Sequence, residues 1–158
     1  MMMTVATSER VEAVYRSAHP KIWRALLAVS GDPDLARDAE SEAFAQAIRR
    51  GEAIEDVERW VWKSAFRILD GLLAARRRPA PAIHETAVTT IDAIDAEFLS
   101  LLGDLTTQQR QIVVLRYIGQ FDAGEIAELL DSSPGSVRVQ LHRAHESLRR
   151  SLSEGKPA

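Results

Sequence analysis

The sequence predicts an all-α protein of two small helical domains joined by a flexible linker, and three observations carry that prediction. Apolar residues recur at spacings of three and four along nearly every apolar stretch, and no segment alternates convincingly with period two. A stretch with two prolines and no apolar periodicity, Pro79 to Thr90 (PAPAIHETAVTT), interrupts the pattern and denies a continuous helix. The last third, Leu105 to Leu152, reads as a helix, a short helix, a tight polar turn and a longer basic helix.

Taken in order, Val11 to Ser30 is helical through Val11, Val14, Tyr15, Ala18, Ile22, Leu26 and Val29, with a bend or break expected at His19-Pro20. Gly31-Asp32-Pro33 is a turn. Asp34 is suited to cap a second helix that runs to about Arg50 through Leu35, Ala39, Ala43, Phe44 and Ala47, with an acidic exposed face. Gly51 ends it and a polar loop follows. A third helix spans Val57 to Arg77, with Trp60, Val61, Ser64, Ala65, Ile68, Leu72 and Leu73 available for packing. The division falls near residue 79: a first domain at 8–78, a linker at 79–97, a second domain at 98–152 and a tail at 153–158.

Within the second domain, Asp122 to Leu130 carries Ile126, Ala127, Leu129 and Leu130 on one face, at helical spacing. Ser133 can cap a new helix whose first turn accepts Pro134, because that position needs no amide donor. At 100° per residue Val137, Leu141, Ala144 and Leu148 form one stripe. Opposite it fall Gly135, Arg138, Val139, His142, Glu146 and Arg149, flanked by Ser136 and Arg143. A recognition helix enters the DNA major groove by its N-terminal end, where Gly135 and Ser136 permit close approach and Arg138 reaches a guanine edge or a phosphate. Arg143, Arg149 and Arg150 suit backbone contacts. The plainer reading is an amphipathic helix of a small bundle with solvated arginines. Against it, Ser132 to Leu152 holds four arginines and one acid, in a chain whose net charge is −3.

With 158 residues, 46% hydrophobic and 27% charged, the chain has an ordinary composition for a soluble protein. It has no cysteine, hence no disulfide framework, thiolate metal site or cysteine nucleophile. The N-terminus lacks a long apolar core and no stretch approaches the ~18 apolar residues of a membrane span, so an unexported, cytoplasmic protein is expected. Charge is segregated. Ala28 to Glu58 holds nine acids against three arginines, whereas Arg59 to Arg78 holds six basic residues against Asp70 alone. Such polarity suits two partners, one basic and one a polyanion.

Taken together, these residues resemble an extracytoplasmic-function (group IV) sigma factor of bacterial RNA polymerase, in the sigma-70 family. LTTQQRQIVVLRYIGQFDAGEIAELLDSSPGSVRVQLHRAHESLRRSL is similar to sigma region 4. GDPDLARDAESEAF and RWVWKSAFRILDGLLAARRR are similar to the acidic helix and the tryptophan-led, arginine-ended helix of region 2. The resemblance implies that region 2 docks on the clamp helices of the polymerase's largest subunit and captures the unwound −10 promoter element. Region 4 would read the duplex −35 element and meet the flap region. Carried over, Asp38, Ser41 and Glu42 face polymerase. Trp60, Trp62, Lys63, Arg67, Arg76, Arg77 and Arg78 are the −10 candidates, with the loop Arg50 to Asp56. Pro134, Gly135, Ser136, Arg138, Val139, His142 and Arg143 are the −35 candidates.

Trp60 and Trp62 lie two apart and cannot face the core equally; packing favours Trp60 inside with Trp62 covering its edge, and one of them is a candidate to stack on DNA. The chain departs from the family pattern at Arg67 and Gly71, where asparagine and aspartate are usual, and at Pro134, which replaces a common glutamate. The resemblance implies no cofactor or metal, because core polymerase supplies the catalysis, and it makes an anti-sigma protein a candidate partner. In the free protein the two domains are either mobile about the linker or packed so that the DNA faces are hidden. A stand-alone helix-turn-helix regulator explains residues 105–152 equally well but leaves the acidic helix and the basic, tryptophan-led helix without a role. For an enzyme, the four histidines (19, 84, 142 and 145) form no HExxH motif, and no phosphate-binding glycine loop is present.

Overall fold

The computed structural model describes residues 5–76 and 96–154. Among them are seven α-helices and no strand: α1 (Val5–Ser30), α2 (Pro33–Arg50), α3 (Val57–Ala75), α4 (Ala96–Leu102), α5 (Thr107–Tyr117), α6 (Ala123–Leu129) and α7 (Pro134–Ser153), with a 3₁₀ turn at Gly51–Ala53. They form two helical units, α1–α3 and α4–α7, as the sequence predicts. Most of the expected linker, with Arg77, Arg78 and residues 155–158, lies outside the described residues.

The first unit is built on small side chains. Ala36, Ala39, Ala43 and Ala47, one per turn of α2, have no exposed surface, so the backbone of α2 lies close against α1 and α3. Asp32, not Asp34, caps α2: its carboxylate accepts from the amides of Asp34 (2.9 Å) and Leu35 (3.4 Å). Pro33 takes the first helical position, where no amide is needed, and this moves the cap to the residue before it. Gly51, at φ 66°, ends the helix. Contrary to the expected interruption, α1 runs unbroken through Pro20. That residue sits on the solvent face, where a carbonyl freed of its helical partner meets water, while Ala18, Ile22, Leu26 and Val29 hold the opposite face in the core.

The buried face of α3 is rotated from the one read in the sequence. Val57, Val61, Trp62, Ala65, Phe66 and Leu69 are buried, whereas Trp60, Ile68, Leu72 and Leu73 are only partly covered. The cause is a neighbour from the second unit. Trp62 meets Phe121 edge-on, with ring centroids 5.2 Å apart, and so is enclosed from a second side.

The second unit starts each helix with a side-chain cap. Thr106 and Gln109 form a reciprocal capping box on α5, Asp122 and Glu125 form another on α6, and the Ser133 hydroxyl accepts from Ser136 N at the start of α7. Val137 and Ala144 are fully buried, with Leu141 and Leu148 packed beside them, which is the predicted stripe. Arg110 fastens this unit to the first: it donates to the carbonyls of Leu102 (3.0 Å), Leu105 (3.2 Å) and Val29 (2.9 Å), the last in the final turn of α1. Burial pushes its pKa down from the usual arginine value. Gln111 donates to Asp70 of α3 beside it. The cores of the two units are therefore continuous.

Glycine positions test this packing in opposite directions. A Cβ at Gly71, inside α3, meets nothing within 4 Å, so Gly71→Ala should stabilise the protein by about 0.5–1 kcal/mol in denaturant unfolding. A Cβ at Gly119 would lie 2.7 Å from both Leu115 O and Phe121 Cδ2, so Gly119→Ala should destabilise by about 1–3 kcal/mol; a stable variant there would contradict the α5–α6 turn described.

Glu40 supplies a pH test. It is 5% exposed, 2.8 Å from His19 Nδ1, beneath the stack of Tyr15 on His19. Burial raises its pKa above 4.5, while the His19 hydrogen bond and charge pull the other way. A carboxyl with a raised pKa holds its proton more tightly in the folded chain. Its contribution to stability is complete below the unfolded pKa and is lost as pH rises through the folded one. Glu40→Gln should therefore stabilise at pH 7, on the order of 1 kcal/mol, and do nothing at pH 4. A loss of stability at pH 7 would show that the ion pair outweighs the burial.

Candidate nucleic-acid interface

Two surfaces carry the predicted DNA-facing residues. The first is a cleft of about 630 Å³ where the C-terminal end of α2 meets α3, lined by Gln46, Arg49 and Arg50 on one side and by Trp60, Lys63, Ser64, Arg67 and Ile68 on the other. Because Trp62 takes the buried position, Trp60 at i−2 turns outward, and its ring forms part of the cleft wall. The cleft thus offers one aromatic face among four cations. That is the combination that accepts an unpaired base and its phosphates.

Two residues expected at this site are elsewhere. Trp62 is 1% exposed and belongs to the core; the sequence reading had the two tryptophans reversed, because it lacked the covering Phe121. Arg76 is turned inward, its guanidinium 3.1 Å from the carboxylate of Asp32, the residue that caps α2. It closes the fold rather than lining the cleft. Gln46 and Arg49 were missed. The Arg49-Arg50-Gly51 helix end is visible in the sequence, but which face of α3 it meets is not.

The second surface is the outer face of α7. Pro134, Gly135, Ser136, Arg138, Val139, His142 and Arg143 are all exposed, and Val139 presents half its area to solvent. The turn before it is tight: Asp131 adopts φ 52° and Ser132 N donates to Ala127 O at 2.8 Å. Farther along, His142 lies 3.3 Å from Glu146, one turn on.

On the acidic helix, Asp38, Ser41 and Glu42 share the exposed face of α2. Glu42 has local partners: hydrogen bonds from Gln46 (3.1 Å) and Arg49 (2.9 Å) hold its carboxyl below the usual range.

The basic side of α3 does not face open solvent throughout. Arg59 bridges Glu125 (3.2 Å) and Glu128 (2.8 Å) of α6, and Asp131 lies 3.0 Å from Lys63 and 3.4 Å from Arg67. These cations hold the Asp131 carboxyl below its ordinary pKa, Lys63 chiefly. The two units are packed together but the outer face of α7 is not hidden, and the acids that pair with Arg59, Lys63 and Arg67 come from α6 and the turn after it. Among the described residues no group of three or more acidic or histidine side chains could hold a metal ion, and no helix is long and apolar enough to cross a membrane.

Comparison with known proteins agrees with this layout. Residues 95–148 match the family model for sigma-70 region 4. The chain is 32% identical over 126 residues to the ECF RNA polymerase sigma factor ShbA of Streptomyces griseus, a match covering 78% of this chain and 63% of that protein, so it spans somewhat less than two thirds of that relative. It is 29% identical over 150 residues to the RNA polymerase sigma-E factor of Streptomyces coelicolor, covering 89% of this chain and 85% of that one. The fold is shared with the sigma factor RpoE of Bartonella quintana, solved with the anti-sigma factor NepR (TM-score 0.74, 16% identity, 92% of this chain and 98% of that one). It is also shared with CnrH, solved with the cytosolic domain of CnrY (TM-score 0.73, 19% identity, 92% and 89%). Residues 95–148 thus correspond to sigma-70 region 4, and over most of its length the chain is similar to extracytoplasmic-function sigma factors, while sharing the two-unit fold of solved sigma factors.

Proposed function

We propose that this protein is a cytoplasmic transcription initiation factor that binds core RNA polymerase and directs it to promoters, reading a −35 element as duplex and a −10 element as single strand. The observation that carries the proposal is the joint presence, in one chain, of a helix-turn-helix with an open outer face and a separate cleft in which an aromatic ring stands among cations. A duplex reader acting alone has no use for the second.

On this reading residues 8–78 serve as region 2, 79–97 as the linker and 98–152 as region 4. The N-terminal end of α7 enters the major groove, where Gly135 and Ser136 leave room, Arg138 donates to a guanine edge or a phosphate, and Val139 offers a methyl contact to thymine. His142 and Arg143 lie farther along the groove. In the first unit, Trp60 stacks on a base drawn from the duplex, Ser64 and Gln46 supply hydrogen bonds to its edge, and Arg49, Arg50, Lys63 and Arg67 hold the strand's phosphates. Asp38 and Ser41, with Glu42, present an acidic face to basic side chains of the polymerase clamp, and region 4 meets the flap. Core polymerase supplies the chemistry. A cognate anti-sigma protein covering these faces is part of the proposal, motivated by the shared fold.

Run-off transcription with core polymerase on fragmented host DNA tests it. Discrete RNA starts that depend on the added chain are expected; duplex footprinting without polymerase binding or new starts would favour the stand-alone regulator. Within that assay Trp60→Ala should lower promoter opening about tenfold, in line with the ~1–3 kcal/mol of a base–aromatic stack, while leaving the circular dichroism unchanged. Trp62→Ala should instead unfold or strongly destabilise the protein, by about 3–5 kcal/mol. If the two variants exchange these phenotypes, the assignment of the cleft is wrong.

A further inference from the structure

We propose that the cavity between α1 and α2 is a binding pocket for one guanidinium, and that it seats a single arginine side chain of core RNA polymerase as the anchor of the docking face. The inference rests on the function proposed above and deepens it: a buried carboxylate, Glu40, with the rings around it, carries the affinity, rather than the exposed acids Asp38 and Glu42.

Two helices build the walls. The cavity measures about 520 Å³, within the range of roughly 300–1,000 Å³ usual for ligand sites. Tyr15, His19 and Trp23 follow one another at one-turn spacing on α1, and Glu40, Ser41 and Phe44 line the cavity from α2. The Tyr15 ring stacks on His19, with centroids 4.6 Å apart, and meets Phe44 edge-on at 5.1 Å. Tyr15 still exposes 45% of its surface, so these contacts do not cover it. Ser41 belongs to two places: it lines the cavity and shares the exposed face of α2 with Asp38 and Glu42. The pocket is therefore continuous with the proposed docking face.

Glu40 is the reason to expect a cation there. Its Oε2 lies 2.8 Å from His19 Nδ1, while Oε1 accepts no hydrogen bond from the described residues. Withdrawal from water raises its pKa, and for stability alone an uncharged side chain of the same size serves better. A carboxylate that the fold does not need, set among aromatic rings in an open cavity, suits a ligand that brings its own positive charge. Arginine fits better than lysine. Its planar fork meets a carboxylate at both oxygens, its flat faces stack on rings, and it gives up water more readily. The surrounding charge agrees: residues 37–42 of α2 hold three carboxylates against Arg37, which also lines the cavity, is exposed and makes no ion pair among the described residues. Interface energy concentrates in arginines and aromatic residues that fill desolvated pockets, whereas exposed charges at the rim contribute little each.

Glu40→Gln keeps the shape of the side chain and removes its charge, so stability and partner affinity should move apart. The full chain, fluorescently labelled at its C-terminus, is titrated with core RNA polymerase at pH 7 and read by anisotropy. Glu40→Gln should weaken binding about tenfold or more, with a melting temperature no lower than that of the wild type. Tyr15→Leu, which removes the exposed ring, should weaken it about fivefold, and Asp38→Asn less than about threefold. Undiminished affinity in Glu40→Gln overturns the proposal, and so does a loss in Asp38→Asn as large as that in Glu40→Gln. A second measurement reads the pocket without any substitution: an NMR titration of the isotope-labelled wild-type chain with Nα-acetyl-arginine amide. Saturable shifts should centre on Tyr15, His19 and Trp23, and their absence overturns the pocket. Saturable shifts together with undiminished core affinity in Glu40→Gln would assign the pocket to a small free cation and overturn the polymerase anchor. If the wild-type chain itself does not bind core, the functional reading fails and this proposal falls with it; wild-type binding that Glu40→Gln leaves intact overturns this proposal alone.

Discussion

One guanidinium organises the meeting of the two units. Arg110 has five donors and no acceptor, and it directs them at carbonyls near helix ends: Val29 at the end of α1, Leu102 at the end of α4, which also accepts from Leu105 N, and Leu105 just before α5. A charged group that is more than half withdrawn from water is tolerated only because these acceptors replace the lost hydration. Since the three carbonyls belong to separate segments, satisfying one side chain fixes their relative placement. Hydrogen bonds from a charged donor contribute about 1.5–3 kcal/mol each, enough to make this junction specific.

From that junction the rest of the contact follows. With α5 held against the end of α1, Phe121 arrives edge-on at Trp62, and Trp62 goes into the core. Trp60, two residues earlier, is then turned toward the α2 end, where Arg49 and Arg50 stand. A packing decision in the second unit thus sets which tryptophan of the first is available to a base. The same placement lays α6 along α3, so that the charge pattern of one helix is answered by the other.

Local features were legible in the sequence and non-local ones were not. Ser133 before Pro134, the Asp122–Glu125 box and the Val137/Ala144 stripe follow from backbone chemistry within a few residues, and the outer face of α7 follows with them. Asp32 and Asp34 straddle Pro33 and look alike in the sequence, and only the proline's position at the first helical residue distinguishes them. The Trp60/Trp62 choice failed for a different reason: α3 is apolar over more than one stripe, and periodicity alone cannot say which stripe receives a second layer. Arg76 sits next to two further arginines in sequence but is tied to Asp32, 44 residues away, a partner that no window along the chain reveals.

The contact between α3 and α6 is charged and lies at the edge of an apolar junction. Its charged groups are 38–67% exposed, so water and salt screen each pair. The contacts beside them, Trp62 on Phe121 and Arg110 on the Val29 carbonyl, therefore carry more of the junction. What the charged pairs add is direction: Arg59 is matched to Glu125 and Glu128, and Lys63 and Arg67 to Asp131, which fixes how α6 lies on α3.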